Sequence, residues 1–193
     1  PRWHAASPKA ARKILRMGSL FFVLQLAAAV AFASDNLIAA QVLGTAAVAD
    51  YAITLQLFSL PMLLLGTLFA PLWPAYGEAV TRGDVIWVQQ TLKRSMLLAA
   101  IVAALPSLLL VLWGVPLIHW WAGTSITPSF WLLLGLATWT VLQAIGNAVA
   151  MFLNGASVIR LQVICASLLA LVGLAAKIIL ARQYGLPGIA WAT

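Results

Sequence analysis

The chain has 193 residues, 64% hydrophobic and 8% charged, with a net charge of +7. A soluble domain carries about 25% charged and about 45–50% apolar residues, so water is excluded as the solvent for most of this surface. A nucleic-acid partner is not the reading of the positive charge, because the basic residues flank hydrophobic runs, as in proteins anchored in a bilayer.

In lipid every backbone polar group must be satisfied within the protein, which leaves helices or a closed barrel. The apolar runs are continuous and lack period-two alternation, so helices are expected. The predicted fold is an all-α integral membrane protein, a bundle of about five transmembrane helices with the start of a sixth. It is treated as a single bundle, 1–193, expected to be a piece of a longer protein. Its one cysteine, Cys165, lies in an apolar run, so neither a disulfide framework nor a thiolate metal site is expected, and no cofactor is implied.

Residues 1–16, "PRWHAASPKAARKILR", are basic and polar. The first span is predicted over 17–42. Gly44 ends it, and a second helix is predicted over 46–77, with Pro61, Pro71 and Pro74 inviting kinks. "EAVTRGDVIWVQQTLKR" is a polar connector in which Asp84 is placed to cap a third helix over 85–121. Pro106 and Pro116 are expected to interrupt that helix. A fourth helix is predicted over 130–154 and a fifth over 158–181. "YGLPG" then turns the chain into a short segment over 187–193.

Basic residues recur on alternate sides of the spans: Arg2, Lys9, Arg12, Lys13 and Arg16, then Arg82, Lys93 and Arg94, then Arg160. The positive-inside bias puts this side, and the N-terminal side of the chain, in the cytoplasm. Trp113, Trp120, Trp121 and Trp131 fall on the other side, as an aromatic belt does. Lys177 and Arg182 are exceptions near the outer end of the fifth helix.

Asp35 is the conspicuous acid, because the run from Ile14 to Leu43 holds no other charge but Arg16. Nineteen residues separate the two, roughly 28 Å of helix against about 30 Å of hydrocarbon, so Asp35 is placed near the outer boundary. Asp50 enters the next helix at similar height. Two readings stand: solvated rim acids, or a coupling acid or acid pair facing an outer vestibule.

Thr140, Gln143, Asn147 and Asn154 share one face of the fourth helix, and Gln25 and Asn36 share one face of the first. Such faces are expected to point into the protein or a water-filled cavity, as interhelical glue or as cavity lining. Arg16, Arg82, Lys93, Arg94 and Arg160 either anchor the chain or ring a phosphate-bearing substrate. Lys177 either snorkels outward or joins the substrate path. His119, beside Trp120, reads as an interface residue rather than a proton relay. With four acids in all and no phosphate-cradling loop or metal spacing, enzymatic catalysis is disfavoured.

Several segments resemble one family. "GSLFFVLQLAAAVAFASDNLIAAQVLGTAAVADYA" is similar to the first helical hairpin of a half-repeat in the multidrug/oligosaccharidyl-lipid/polysaccharide flippase superfamily. "PLWPAYGEAVTRGD" with "LKRSMLLAAIVAALP" is similar to its next connector. "PLIHWWAG" and "NGASVIRLQ…ARQYGLPGIAWAT" are similar to its third-helix end and its fifth-to-sixth helices. The polysaccharide-biosynthesis, O-antigen branch fits best, and the charged lead-in suggests the second six-helix half. The resemblance implies one half of a two-bundle transporter. That transporter would flip polyprenyl-diphosphate-linked oligosaccharide across a bacterial inner membrane by alternating access. Membrane lipid and lipid-linked oligosaccharide would be its partners, with a proton or sodium as coupling ion. In that branch Asp35 and Tyr51 fall where an acid and an aromatic are common. The alternatives are a cation-coupled drug exporter of the same superfamily and a polyprenol-dependent glycosyltransferase or polymerase.

Overall fold

The computed structural model describes residues 8–193, and the side chains of Pro8, Lys9, Ala10 and Lys13 lie outside that description, as does Arg2. The described chain is almost wholly helical, without strands. The helix α1 (Pro8–Ile38) runs into a π-helical turn (Ala39–Leu43). Next come α2 (Thr45–Phe69), α3 (Leu72–Arg82), α4 (Val85–Ala122), α5 (Phe130–Gly155), α6 (Ile159–Tyr184) and α7 (Leu186–Ala192). Five of these helical segments are long and apolar enough to cross a membrane, so this is an all-α, multi-pass membrane bundle. Large apolar side chains such as Phe22, Leu63, Leu109 and Leu169 stand exposed on its outside, where lipid rather than water is their solvent.

The prolines divide differently from the sequence expectation. The helix expected over 46–77 is two helices, broken at Ala70–Pro71, and α3 continues to Arg82. In contrast α4 continues through Pro106 and Pro116, and α2 through Pro61. A proline inside a span costs one backbone hydrogen bond, which neighbouring helices and local adjustment absorb. At Pro71 the chain leaves the apolar span α2 and starts the polar connector helix α3, which packs on α5 instead. Asp84 caps α4, accepting from the Trp87 amide at 3.0 Å, and Gly83 supplies the left-handed residue before it (φ 74°).

Two packing systems make up the bundle. The first joins α2, α3, α4 and α5. Ser95, Ala99, Ala103 and Ser107 recur every fourth residue on the buried face of α4 and meet α5, which buries Ala137, Ala144 and Ala148. Small side chains let the backbones approach, and van der Waals contact then holds them. Gly155 takes this to its limit against α3, because a Cβ there would sit 2.6 Å from Tyr76 Cβ and 2.7 Å from the Trp73 carbonyl oxygen.

The second system is α1 against α6, with α7 folded back on α6. Although consecutive in the chain, α1 and α2 scarcely touch, and α7 and the π-helical turn tie the two systems together. Tyr51, Phe58, Leu132, Leu136 and Ile189 form the apolar core at this junction.

Candidate functional site: a buried charge set between the first and last long helices

α1 carries a face of small residues, Ala27, Ala28 and Ala31, with Ser34 and Asp35 on the following turn. That face lets α6 come close enough for a long side chain to cross. Lys177 does so. Its Nζ lies 2.5 Å from Asp35 Oδ1 and donates a hydrogen bond to the Ala31 carbonyl at 2.7 Å. The Ser34 hydroxyl donates to the same carbonyl at 2.8 Å. Tyr51, brought back by the turn at Gly44 (φ 94°), donates its hydroxyl to Asp35 Oδ2 at 2.9 Å. Asp35 is 1% exposed, Lys177 2% and Tyr51 0%.

Both carboxylate oxygens are therefore engaged, one by a cation and one by a phenol. An isolated buried charge costs several kcal/mol, and pairing with satisfied hydrogen bonds makes it tolerable. Ionisable side chains inside spans occur where they pair or serve a pathway. The Lys177 ammonium donates one hydrogen bond, to the Ala31 carbonyl, and pairs with Asp35 by charge. The side chain also lines a cavity of about 440 Å³ among Ala31, Phe32, Trp139, Trp191 and Thr193. Phe32 and Trp139 bridge α1 to α5 across it, with ring centroids 6.3 Å apart.

For Asp35 and Lys177 alike this removes one of the two readings left open, the solvated rim acid and the outward snorkel. Asp35 is not a rim acid in an open vestibule, because α6 covers it. Lys177 does not snorkel outward, because a carboxylate and a carbonyl within reach hold it inside. The height estimate still applies, since Lys177 lies eighteen residues beyond Ile159, roughly 27 Å along α6, and so at the end of the bundle away from Arg16. Asp50 is half-buried beside Tyr51 and makes no ion pair among the described residues.

The polar stripe of α5 serves mixed purposes. Thr140 is buried; its hydroxyl donates to the Leu136 carbonyl at 2.8 Å and reaches the Phe58 carbonyl of α2 at 3.5 Å. Asn154 accepts from Gln162 of α6 at 2.9 Å. Both ends of the stripe are thus interhelical contacts, while Gln143 and Asn147 between them are half-buried.

Gln25 and Asn36 do not point into the packed interior, one of the two places expected for them: both are exposed on α1. Counting about 100° per residue, they project roughly 120–140° from Ala31, away from the face that meets α6. Neither lines the cavity beside Lys177.

The basic residues form no closed ring. Arg82 pairs with Glu78 at 3.1 Å on the surface of α3, and Lys93 and Arg94 are exposed on α4. Arg16 and Arg160 share one recess. Away from both sites, the Tyr76 hydroxyl of α3 is buried without a hydrogen-bond partner among the described residues, and burial pushes its phenol up from the ordinary value.

The pairing of Asp35 with Lys177 and Tyr51 is not part of the sequence reading, although a signal for it exists there. One acid and one lysine lie at the same height in otherwise uncharged spans, and in hydrocarbon opposite charges at one depth seek each other. No protein-family model, no curated protein and no solved structure matches this chain.

Proposed function

We propose that this multi-pass membrane chain is part of a transporter that flips polyprenyl-diphosphate-linked oligosaccharide from the cytoplasmic to the periplasmic leaflet of a bacterial inner membrane. Its N-terminal side faces the cytoplasm, and it acts as a carrier rather than an enzyme. The observation that carries the reading is the Asp35–Lys177–Tyr51 set, buried between α1 and α6 beside a cavity. A helix pair that only had to stay packed would use small residues, as α4 and α5 do. A charge pair ties α1 to α6 strongly while both partners are ionised and weakly once one is neutralised. That makes it a fit coupling element for two arrangements of the bundle, with a proton or sodium as the neutralising ion. The sequence resemblance supplies the substrate class.

The test is translocation of a fluorescent lipid-linked oligosaccharide by the full-length protein in proteoliposomes. Asp35→Asn is expected to slow it and to alter its dependence on pH and sodium. Wild-type rates for that variant under all conditions would leave the charge set a structural tie only. Orientation is checked separately: a reporter active only in the cytoplasm is expected to work when fused near Arg82 or Arg160 and to be silent near Ser125.

One observation favours the cation-coupled drug exporter as a second reading. Such an exporter needs an acid enclosed in the bundle, and Asp35 is enclosed. Ethidium efflux from the same vesicles, lost in Asp35→Asn, would decide for it.

A further inference from the structure

At the basic end of the bundle, Arg16 of α1 and Arg160 at the start of α6 line one recess of about 430 Å³. Met17, Leu20, Val158 and Ile159 make its apolar floor. The two arginines lie 144 positions apart in sequence, so the fold alone brings them together.

None of the chain's carboxylates pairs with either of them. There are four acids in all. Asp35 is held by Lys177, Glu78 pairs with Arg82, and Asp84 caps α4. Asp50 lies near the start of α2, next to Tyr51 and so at the opposite end. Arg16 and Arg160 are both exposed and have no counter-charge among the described residues. Exposed apolar neighbours, Ile14 and Leu15 beside Arg16 and Leu161 beside Arg160, place the recess at the level of the lipid rather than in open water.

We infer that the recess seats an anionic phospholipid of the adjoining leaflet, with phosphate oxygens between the Arg16 and Arg160 guanidinium groups and the first acyl methylenes against Met17, Leu20 and Val158. Guanidinium groups present planar donor forks that match phosphate oxygens. Basic pockets between transmembrane helices take doubly charged head groups, and two guanidinium groups are matched in charge by the two phosphates of cardiolipin. The apolar floor gives an acyl chain a seat that a free anion would leave empty. This site is distinct from the charge set between α1 and α6 and does not depend on the transport reading.

Native mass spectrometry of the full-length protein, titrated separately with cardiolipin, phosphatidylglycerol and phosphatidylcholine, tests it. Cardiolipin is expected to be retained most and phosphatidylcholine least. The Arg16→Gln/Arg160→Gln variant should weaken cardiolipin retention by roughly 30-fold, about 1 kcal/mol for each basic residue. Arg94→Gln/Arg182→Gln, which removes the same charge from α4 and the far end of α6, should leave retention near wild type, and size-exclusion profiles show that both variants are folded. Equal retention by all three proteins would overturn the inference. Displacement of cardiolipin by soluble inorganic pyrophosphate would mean a free-anion site and overturn it too. Displacement by polyprenyl diphosphate at lower concentration than by any phospholipid would assign the recess to a transported lipid instead.

Discussion

The contacts of α4 with α5 and of α1 with α6 solve one problem in two ways. Both join long helices in lipid, where the hydrophobic effect gives helices no reason to associate. Along α4, Ser95, Ala99, Ala103 and Ser107 bring backbones together through many small contacts, none of them dependent on charge. Between α1 and α6 a large part of the specific interaction is gathered at one place, the Asp35–Lys177 pair with Tyr51 and the Ala31 carbonyl. The first interface has no switchable component. The second has a single term that a proton or a bound cation can cancel.

Substitution at the charge set should give the largest effect. Lys177→Met strands the Asp35 carboxylate and is expected to cost about 3–5 kcal/mol, read as a shifted unfolding midpoint in detergent. Asp35→Leu combined with Lys177→Met should recover most of that loss, because two apolar side chains replace a desolvated pair. If the double variant is as unstable as the single one, the comparison fails and the pair is not the main tie. Tyr51→Phe should cost about 1.5–3 kcal/mol, the worth of a hydrogen bond to a charged group. Its effect should vanish in an Asp35→Leu/Lys177→Met background, which a double-mutant cycle reads directly.

The small-residue interface is sharpened by the reverse kind of change. Ala103→Leu adds bulk where the chain is closely packed and is expected to cost about 1–3 kcal/mol, equally across pH. Sensitivity of that loss to pH would mean the two interfaces are not independent. The smallest effect belongs to Thr140→Ala, about 0.6 kcal/mol, since interhelical hydrogen bonds in membranes are weak on average.

The spans are legible in the sequence because their cause is local: a run of apolar residues long enough for the bilayer, ended by Gly44, Gly123 or Gly185. The cap at Asp84 is set by its neighbours in the same way. The partner of Asp35 is not a local property. It depends on which face α1 turns toward α6, and that is decided by Ala27, Ala31 and Ser34 meeting a helix that begins more than a hundred residues later. The outward position of Gln25 and Asn36 results from that same rotation. The prolines mislead for a related reason. Composition shows that a hydrogen bond is missing at Pro61, Pro71, Pro106 and Pro116, but only the surroundings decide whether the helix carries on across the gap. Exposure does not decide it, for Pro71 and Pro116 are both exposed, yet the chain breaks at the first and α4 runs through the second.

The π-helical turn at Ala39–Leu43 fixes the rotational phase of the first hairpin. Such a turn closes its hydrogen bonds over five residues instead of four, so it holds one residue more than an α-helical turn. The α1 helix before it is therefore out of step with the chain beyond it by about one residue, close to 100° of rotation about the axis. Asp35 sits just ahead of that offset and Tyr51 beyond it. Were the same five residues wound as α-helix, with α2 held fixed, the carboxylate would swing by roughly a quarter of a circle, off both the phenol and the ammonium. One surplus residue thus serves as the angular setting of the charge set, and its removal would act like turning a key, without altering any side chain that touches the pair.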